Sequence, residues 1–429
     1  MIHWSHLGQE HSAQWRSESI ATAPARVQVV DDTLRADDAY RLACQGTALL
    51  WQGDFQNARL LLQALARRVD AHRSSGPNSK TGGKAGPNAK GRGKPTRRVS
   101  AKTAAALAAP AAANTKTAAV PDAIDTPAAA FYRHRQAQAQ RARVLSSLLI
   151  PLDAQHNIPL RRAPDWQAAC AQAWGAPAAN AGQGSVAPLR ELLGIVGAFE
   201  WRKKGIEIPA LGAPPRNRIH PHYGVFSPVR GEYIDLIAQT PLPAAALAPG
   251  ACAFDIGTGT GVLAAVLARR GVPQVLATEL DPRAVACAQA NLQALGCAAQ
   301  VQVQQIDTFP PGRAALVVCN PPWLPGKPSA PIENAVYDPD SRMLRSFVAG
   351  LAQHLAPGGE GWLVLSDLAE HLGLRTRIQL QEWIAQAGLQ VLARHDVRPH
   401  HPKATDPTDP LHAARAAEVT SLWRLAVVG

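Results

Sequence analysis

Apolar and polar positions along these 429 residues follow two rhythms, and the change between them divides the chain. Between Asp31 and Arg73 apolar residues recur at helical spacing: Phe55, Ala58, Leu61, Leu62, Leu65 and Ala66 would share one helix face. Tyr40, Leu42, Ala43, Ala48, Leu49, Leu50 and Trp51 form an apolar cluster just ahead of them. Helical spacing resumes at Phe131 and runs through Arg143 to Leu149, with shorter helical patterns at Trp166 to Trp174 and Pro188 to Phe199. Further on, short apolar runs alternate with helical segments. The runs Ala251 to Ile256, Val275 to Glu279, Val301 to Ile306, Ala315 to Cys319 and Gly361 to Ser366 read as buried parallel strands. Helical stretches at Gly261 to Arg270, Pro282 to Leu295 and Ser341 to Leu355 separate them, a doubly wound α/β pattern. After a helical stretch from Leu374 to Ala387, the runs Gln390 to Arg394 and Val419 to Val428 have no helix between them, so they must pair antiparallel. The expectation is a mainly helical N-terminal domain over 1–200 and, over 201–429, a mostly parallel seven-stranded Rossmann-like sheet ending in an antiparallel hairpin.

Composition changes this picture in one place. Residues 74–130 are Gly, Pro, Ala, Lys and Ser/Thr with almost no large apolar side chain. Such a stretch cannot bury enough surface to offset its ordering entropy, so a disordered basic insertion into a helical hairpin is expected. Of the formal +12 charge, ten positive residues lie between 71 and 121, where no Asp or Glu occurs, leaving +2 for the remainder. The basic character therefore belongs to one segment. That segment could grip phosphates without reading sequence, or could be a solvated linker. The six cysteines show no CxxC spacing and most stand among apolar neighbours, as reduced buried thiols do. No metal site is expected around His220, His222 or His400-His401, which lack carboxylates or cysteines at ligand spacing. With no secretory pattern at the start and no apolar run long enough to span a bilayer, a cytoplasmic protein is expected.

Two motifs carry candidate chemistry. The first is Asp255-Ile-Gly-Thr-Gly-Thr-Gly261, placed between a strand and a helix. Glycines at 257, 259 and 261 let the backbone approach a ligand closely and present amides at a helix N-terminus. The stretch fits the dinucleotide fingerprint G-x-G-x-x-A as well, so an NAD(P)-dependent oxidoreductase stays open at this point. Glu279 ends the next strand, where a carboxylate can accept both ribose hydroxyls. Asp307 ends the third, where it can accept from an adenine amino group.

The second motif is Asn320-Pro321-Pro322-Trp323, at the end of the fourth strand. Consecutive prolines stop the ladder and fix the backbone. The side-chain oxygen of Asn320 and the carbonyl of Pro321 can accept both protons of a planar –NH₂, and Trp323 offers a flat face for stacking. Next to a nucleotide-like cofactor, this points to methyl transfer to a trigonal nitrogen.

Asp255 to Gly261, Glu279, Asp307 and Asn320 to Trp323 together resemble the small-domain class I methyltransferases that use S-adenosylmethionine (SAM). That group takes in the HemK/PrmC glutamine N5-methyltransferases, the RsmC-type guanine N2-methyltransferases and adenine-N6 enzymes. The resemblance covers roughly His220 to Val428. It implies SAM as cofactor, held by Asp255, Gly257, Gly259, Gly261, Glu279 and Asp307, and a target held by Asn320, Pro321, Pro322 and Trp323. The glutamine enzymes carry Tyr where Trp323 stands, and a Pro-Arg-Pro-Glu-Thr-Glu-like stretch where this chain has Phe226-Ser-Pro-Val-Arg-Gly-Glu-Tyr233. Arg230 in that stretch and Tyr337 beyond the second motif are further candidates for substrate contact. The expected substrate is nucleic acid, RNA ahead of DNA, at an exocyclic base amine; a protein glutamine side chain is the alternative. Oligomeric state has no signature in the sequence.

Overall fold

The computed structural model describes residues 1–19, 22–74, 126–177, 184–400 and 405–429. In the first half, β1 (Ile2–His6), β2 (Gln9–Trp15) and β3 (Val27–Val30) precede α1 (Ala36–Cys44), β4 (Ala48–Trp51) and α2 (Phe55–Ser74). Then come α3 (Pro127–Leu145), β5 (Leu148–Leu152), α4 (Gln167–Trp174), β6 (Ser185–Pro188) and α5 (Leu189–Lys204). The six strands form one mixed sheet in the order β1-β2-β6-β5-β4-β3.

Helices hold more of this half than strands do, yet its core is a sheet, which the expectation of a mainly helical domain lacked. The physical reason is length. Ala48–Trp51 and Leu148–Leu152 are continuous apolar runs of four and five residues, and such runs have no periodicity that separates strand from helix. Both are central strands, β4 pairing parallel to β5. The expected helical hairpin is present: α2 and α3 pack through Val69 and Val144 and through an Arg141–Asp70 ion pair of 2.9 Å. The expected insertion at 74–130 falls largely on 75–125, outside the described residues. Its last four residues belong instead to α3. The Thr126 hydroxyl caps that helix, accepting from the Ala129 N–H at 3.2 Å, and Pro127 fills its first turn.

The second half begins with a small hairpin, β7 (Ile206–Glu207) and β8 (Arg218–Ile219), then α6 (Glu232–Gln239). There follow β9 (Cys252–Ile256), α7 (Val262–Arg269), β10 (Gln274–Glu279), α8 (Pro282–Leu295), β11 (Val301–Gln305) and β12 (Ala314–Cys319). The chain closes with α9 (Arg342–His354), β13 (Leu355–Ser366), α10 (Leu368–His371), α11 (Arg377–Gln386), β14 (Leu389–Val397), α12 (His412–Ala417) and β15 (Thr420–Val427). Strand order is β11-β10-β9-β12-β13-β15-β14, parallel except for β15, which pairs antiparallel with both neighbours. This is the architecture expected of a class I methyltransferase. Both faces are covered, as continuous apolar strands require. Ala253, Leu316 and Val364 pack under α6, α7 and α8, while Phe254, Val317 and Leu363 pack under α9 and α11.

Chain direction across the sheet reverses between β9 and β12, the place where open α/β sheets bind ligands. Register sharpens this: Cys319 pairs with Ile256, so Gly257 and Asn320 leave adjacent strands at one level. Thr278 pairs with Ile256 on the other side and brings Glu279 to the same rim.

The expected division at 200/201 falls in the last turn of α5. We propose to retain two units, because the apolar clusters sort by half apart from one. That one joins Phe131 of α3 to Leu324, Leu368, Leu372 and Leu411. Glu18 and Arg283 add a bidentate ion pair across the halves, with contacts of 2.7 and 2.8 Å.

Candidate active site

A cleft of about 730 Å³ opens over the carboxyl ends of β9, β10, β11 and β12. Every residue singled out from the sequence as a site candidate except Gly261 lines it: Arg230, Asp255, Gly257, Gly259, Glu279, Asp307, Asn320 to Trp323 and Tyr337.

On one wall the glycine turn is shaped by positive φ. Gly257 sits at φ +70°, and a Cβ there would come within 2.4 Å of the Met343 methyl. Gly261, at φ +82°, lies below the rim, where a Cβ would meet the Ala288 backbone at 3.3 Å, so its role is to let α7 pack on α8. Asp255 is buried beneath the turn. Its Oδ2 accepts from the Thr258 hydroxyl at 2.6 Å and from the Ala264 N–H at 3.0 Å. Burial pushes its carboxyl up to about 6, against the lowering effect of those two bonds. Glu279 ties the rim together, accepting from the Gly259 N–H at 3.0 Å and from the amides of Leu280 and Asp281 at 2.8 and 3.1 Å. Asp307 is exposed and paired with Arg342 at 3.0 Å. Leu280, 53 % exposed, leaves a large apolar side chain on the cleft beside Glu279.

The opposite wall is the loop after β12. The Trp323 indole Nε1–H donates to Asn320 Oδ1 at 2.9 Å. This bond fixes the ring against the carboxamide and leaves the second lone pair of an sp² oxygen for a further donor. Because phenol and indole present their polar hydrogens differently, this contact gives the Trp-for-Tyr departure a structural consequence. Buried Arg375 braces the loop from behind, its Nη1 donating to the Trp323 carbonyl at 3.5 Å, and burial lowers its pKa. Asp338, buried and with a raised pKa for that reason, accepts from the Met343 and Leu344 amides at 3.0 and 3.1 Å. It thereby locks the end of the loop onto the start of α9.

Tyr337 and Arg230 occupy less open positions than expected. One face of the Tyr337 ring is already covered by the Arg135 guanidinium of α3, 3.8 Å from its centroid. The same arginine donates to the Lys327 carbonyl and the Ser329 hydroxyl and stands 3.7 Å from Glu333. Arg230 is 3.7 Å from Glu418, a cleft carboxyl raised by burial that accepts from Ser366 Oγ at 2.7 Å. Arg135, Arg342, Arg375 and Glu418 escaped sequence reading. They reach the site from distant parts of the chain and belong to no local motif. Among the described residues no group of three or more His, Cys, Asp or Glu could hold a metal, and no helix is long and apolar enough to cross a membrane.

Residues 216–388 match the model of the methyltransferase small domain family. This chain carries a methyltransferase small domain. The chain is 37 % identical over 123 residues to a release factor glutamine methyltransferase of Cereibacter sphaeroides, spanning 28 % of this chain and 41 % of that one. It is 32 % identical over 124 residues to a ribosomal RNA small subunit methyltransferase C of Pseudomonas aeruginosa, spanning 29 % and 34 %. A tRNA1(Val) (adenine(37)-N6)-methyltransferase of Pasteurella multocida is 42 % identical over 79 residues, spanning 17 % and 33 %. The chain thus spans less than half the length of these curated relatives, and each match is confined to part of the chain.

Proposed function

We propose that the protein is a SAM-dependent N-methyltransferase acting on the exocyclic amine of an unpaired RNA base. The observation that carries this reading is the meeting of Asn320, hydrogen-bonded to a cleft-lining indole, with the glycine turn across one continuous cavity. The cavity fits a nucleoside-type cofactor together with a planar group, since pockets for drug-sized ligands run from about 300 to 1,000 Å³. Gly259, where a Cβ would meet no atom within 4 Å, leaves the floor open, Glu279 keeps one lone pair on Oε2 for a ribose hydroxyl, and Asp307 and Leu280 line the same cleft, Leu280 offering an apolar surface to a ring. When bound, SAM supplies an electrophilic methyl group.

The protein's own contribution is to the acceptor nitrogen. An exocyclic amine is a weak nucleophile because its lone pair is delocalised into the ring. Asn320 Oδ1 and the Pro321 carbonyl accept its two N–H groups, draw the nitrogen toward pyramidal geometry and aim the lone pair across the cleft. As the new C–N bond forms, positive charge grows on the nitrogen, and these two oxygens stabilise it until one proton leaves to water. Trp323, held by its bond to Asn320, stacks on the ring and fixes the angle of approach. A base must leave its stack to reach this position.

The release factor relative gives a second reading weight, since a glutamine amide presents the same pair of donors. The larger indole surface in place of Tyr favours a base. The two readings separate in one experiment. Cell extract lacking the enzyme is incubated with the full chain and tritiated SAM, then treated with RNase or protease. Label lost to RNase is the expected result. Label that resists RNase and is released by protease overturns the RNA assignment in favour of protein.

A further inference from the structure

A second cavity, of about 470 Å³, lies between α5 of the first half and the loop at 330–332 of the methyltransferase domain. It meets the active cleft at Gly224, Val225 and Pro331, which line both. One wall is a face of α5 running Arg190, Gly194, Gly197, Ala198, Trp201 at three- and four-residue spacing. Glycine is the poorest helix former after proline, so two in the interior of a 16-residue helix call for a reason. Internal packing does not supply one: a Cβ built on either glycine meets no atom within 4 Å. The effect is a shallow trough, with Trp201 51 % exposed at one end and Ile332 48 % exposed on the opposite bank.

The charges along this trough are asymmetric. Its two acids are engaged: Glu191 accepts from the Ser17 hydroxyl at 2.7 Å and the Glu18 amide at 2.6 Å, and Glu18 itself pairs with Arg283 at 2.7 Å. Arg190 lines the trough near one end, and Arg202 and Lys204 follow Trp201 in the last turn of α5, the Lys204 ammonium 5.6 Å from the indole centroid, while Lys203 turns to the other side of the helix over Phe199 and beside Glu200. An exposed indole beside clustered cations, over a neutral trough, suits a strand that presents phosphates and free base faces. An extended peptide would be served poorly. A helix wall has no free backbone groups to pair with the peptide's own N–H and C=O, which would be desolvated without partners.

We infer that this groove holds the single-stranded RNA flanking the target base, with one neighbouring base stacked on Trp201 and its phosphates near the α5 cations. The inference rests on the RNA reading above and assigns to α5 a share in substrate binding. It is tested with the full chain by fluorescence polarisation of a labelled mixed-sequence single-stranded RNA of about a dozen nucleotides, the span of one or two site sizes. The Gly194→Leu/Gly197→Leu double variant fills the trough where nothing is displaced, so its thermal midpoint should stay level or rise. Its RNA affinity should fall about tenfold or more, as should that of Trp201→Ala, one stacked base being worth roughly that factor. Trp201→Phe should recover most of the loss, and S-adenosylhomocysteine (SAH) titration should give the wild-type affinity in all three. If both groove variants bind RNA like wild type while RNA is still methylated, the groove assignment is wrong and the RNA reading stands. If wild type neither binds nor methylates RNA, both fall. Weakened methylation of a protein substrate by the same variants would instead make the trough a polypeptide site.

Discussion

The two walls of the cleft are built differently. The glycine wall is local: Asp255, Thr258, Gly259, Ala264, Glu279 and Leu280 bond to one another across a span of 26 residues, all within the methyltransferase domain. The Asn320 wall is assembled from afar. Arg375 reaches the Trp323 carbonyl across 52 residues, and Arg135 reaches the same loop across 192. A wall that depends only on its own neighbours can bind a common cofactor in many contexts. A wall leaning on another part of the chain can be re-aimed by changing that part. On the proposed function, the difference implies that cofactor affinity and target turnover are separable quantities.

The most severe test of that separation is Asn320→Ala. In the proposed mechanism it removes an acceptor aimed at developing charge while leaving the glycine wall intact, so turnover should fall by about 10²–10³. SAH affinity by calorimetry should hardly move. An equal loss in both would show that the walls are one unit. Glu279→Gln makes the reciprocal cut. It exchanges a carboxylate that takes three amides for a neutral group able to accept through one oxygen only. Charge-assisted bonds are worth about 1.5–3 kcal/mol, so SAH should bind roughly 10- to 100-fold more weakly. Turnover at saturating SAM should recover toward wild type, and a kcat deficit that persists at saturation would count against a binding role.

The same contrast explains what could be read from sequence. In the second half β9, β10 and β12 are mostly apolar runs, each followed in the chain by a longer helix, and the candidate site residues sit where these strands end. Glycine turn, Glu279 and Asn320 were therefore legible one element at a time. In the first half the strand Ser185–Pro188 is four fully buried residues and Ala48–Trp51 another four, too short for period to decide their type. Polar-rich Ile2–His6 and Gln9–Trp15 alternate only weakly, and nothing in them announces a sheet edge. The braces of the Asn320 wall were out of reach for another reason. A lone arginine such as Arg135 on a polar helix has many possible partners, and only the folded chain selects Tyr337 and the Lys327 carbonyl.

Asp255 offers a smaller effect with a sign opposite to the usual one for an acid. Burial holds its folded pKa at about 6, above the ordinary carboxylate value, so between about 4 and 6 the folded state binds more protons than the unfolded. Stability contributed by the protonated form is complete below the unfolded pKa and is lost as pH rises through the folded one. Asp255→Asn keeps an oxygen for Thr258 and Ala264 and removes the titration. The variant should therefore gain on wild type from pH 4 to pH 7, by on the order of 1–3 kcal/mol in denaturant unfolding without cofactor. A constant difference across that range would mean that the buried carboxyl does not titrate there.

The mildest variant bears most directly on how the second wall is held. Arg135→Ala removes a guanidinium stacked on Tyr337 and two hydrogen bonds to the 327–329 loop, none of which touches the glycine wall. A partly buried cation–π contact contributes about 1 kcal/mol, so thermal stability should drop slightly. The loop bearing Trp323 would then sample more orientations, and the cost should appear as a KM for the methyl acceptor raised several-fold, with SAH affinity unchanged. Lysine restores charge but not the planar stack, so Arg135→Lys should recover only part of the KM. If SAH binding weakened in step with KM, α3 would be supporting the whole cleft, and the independence of the two walls would be lost.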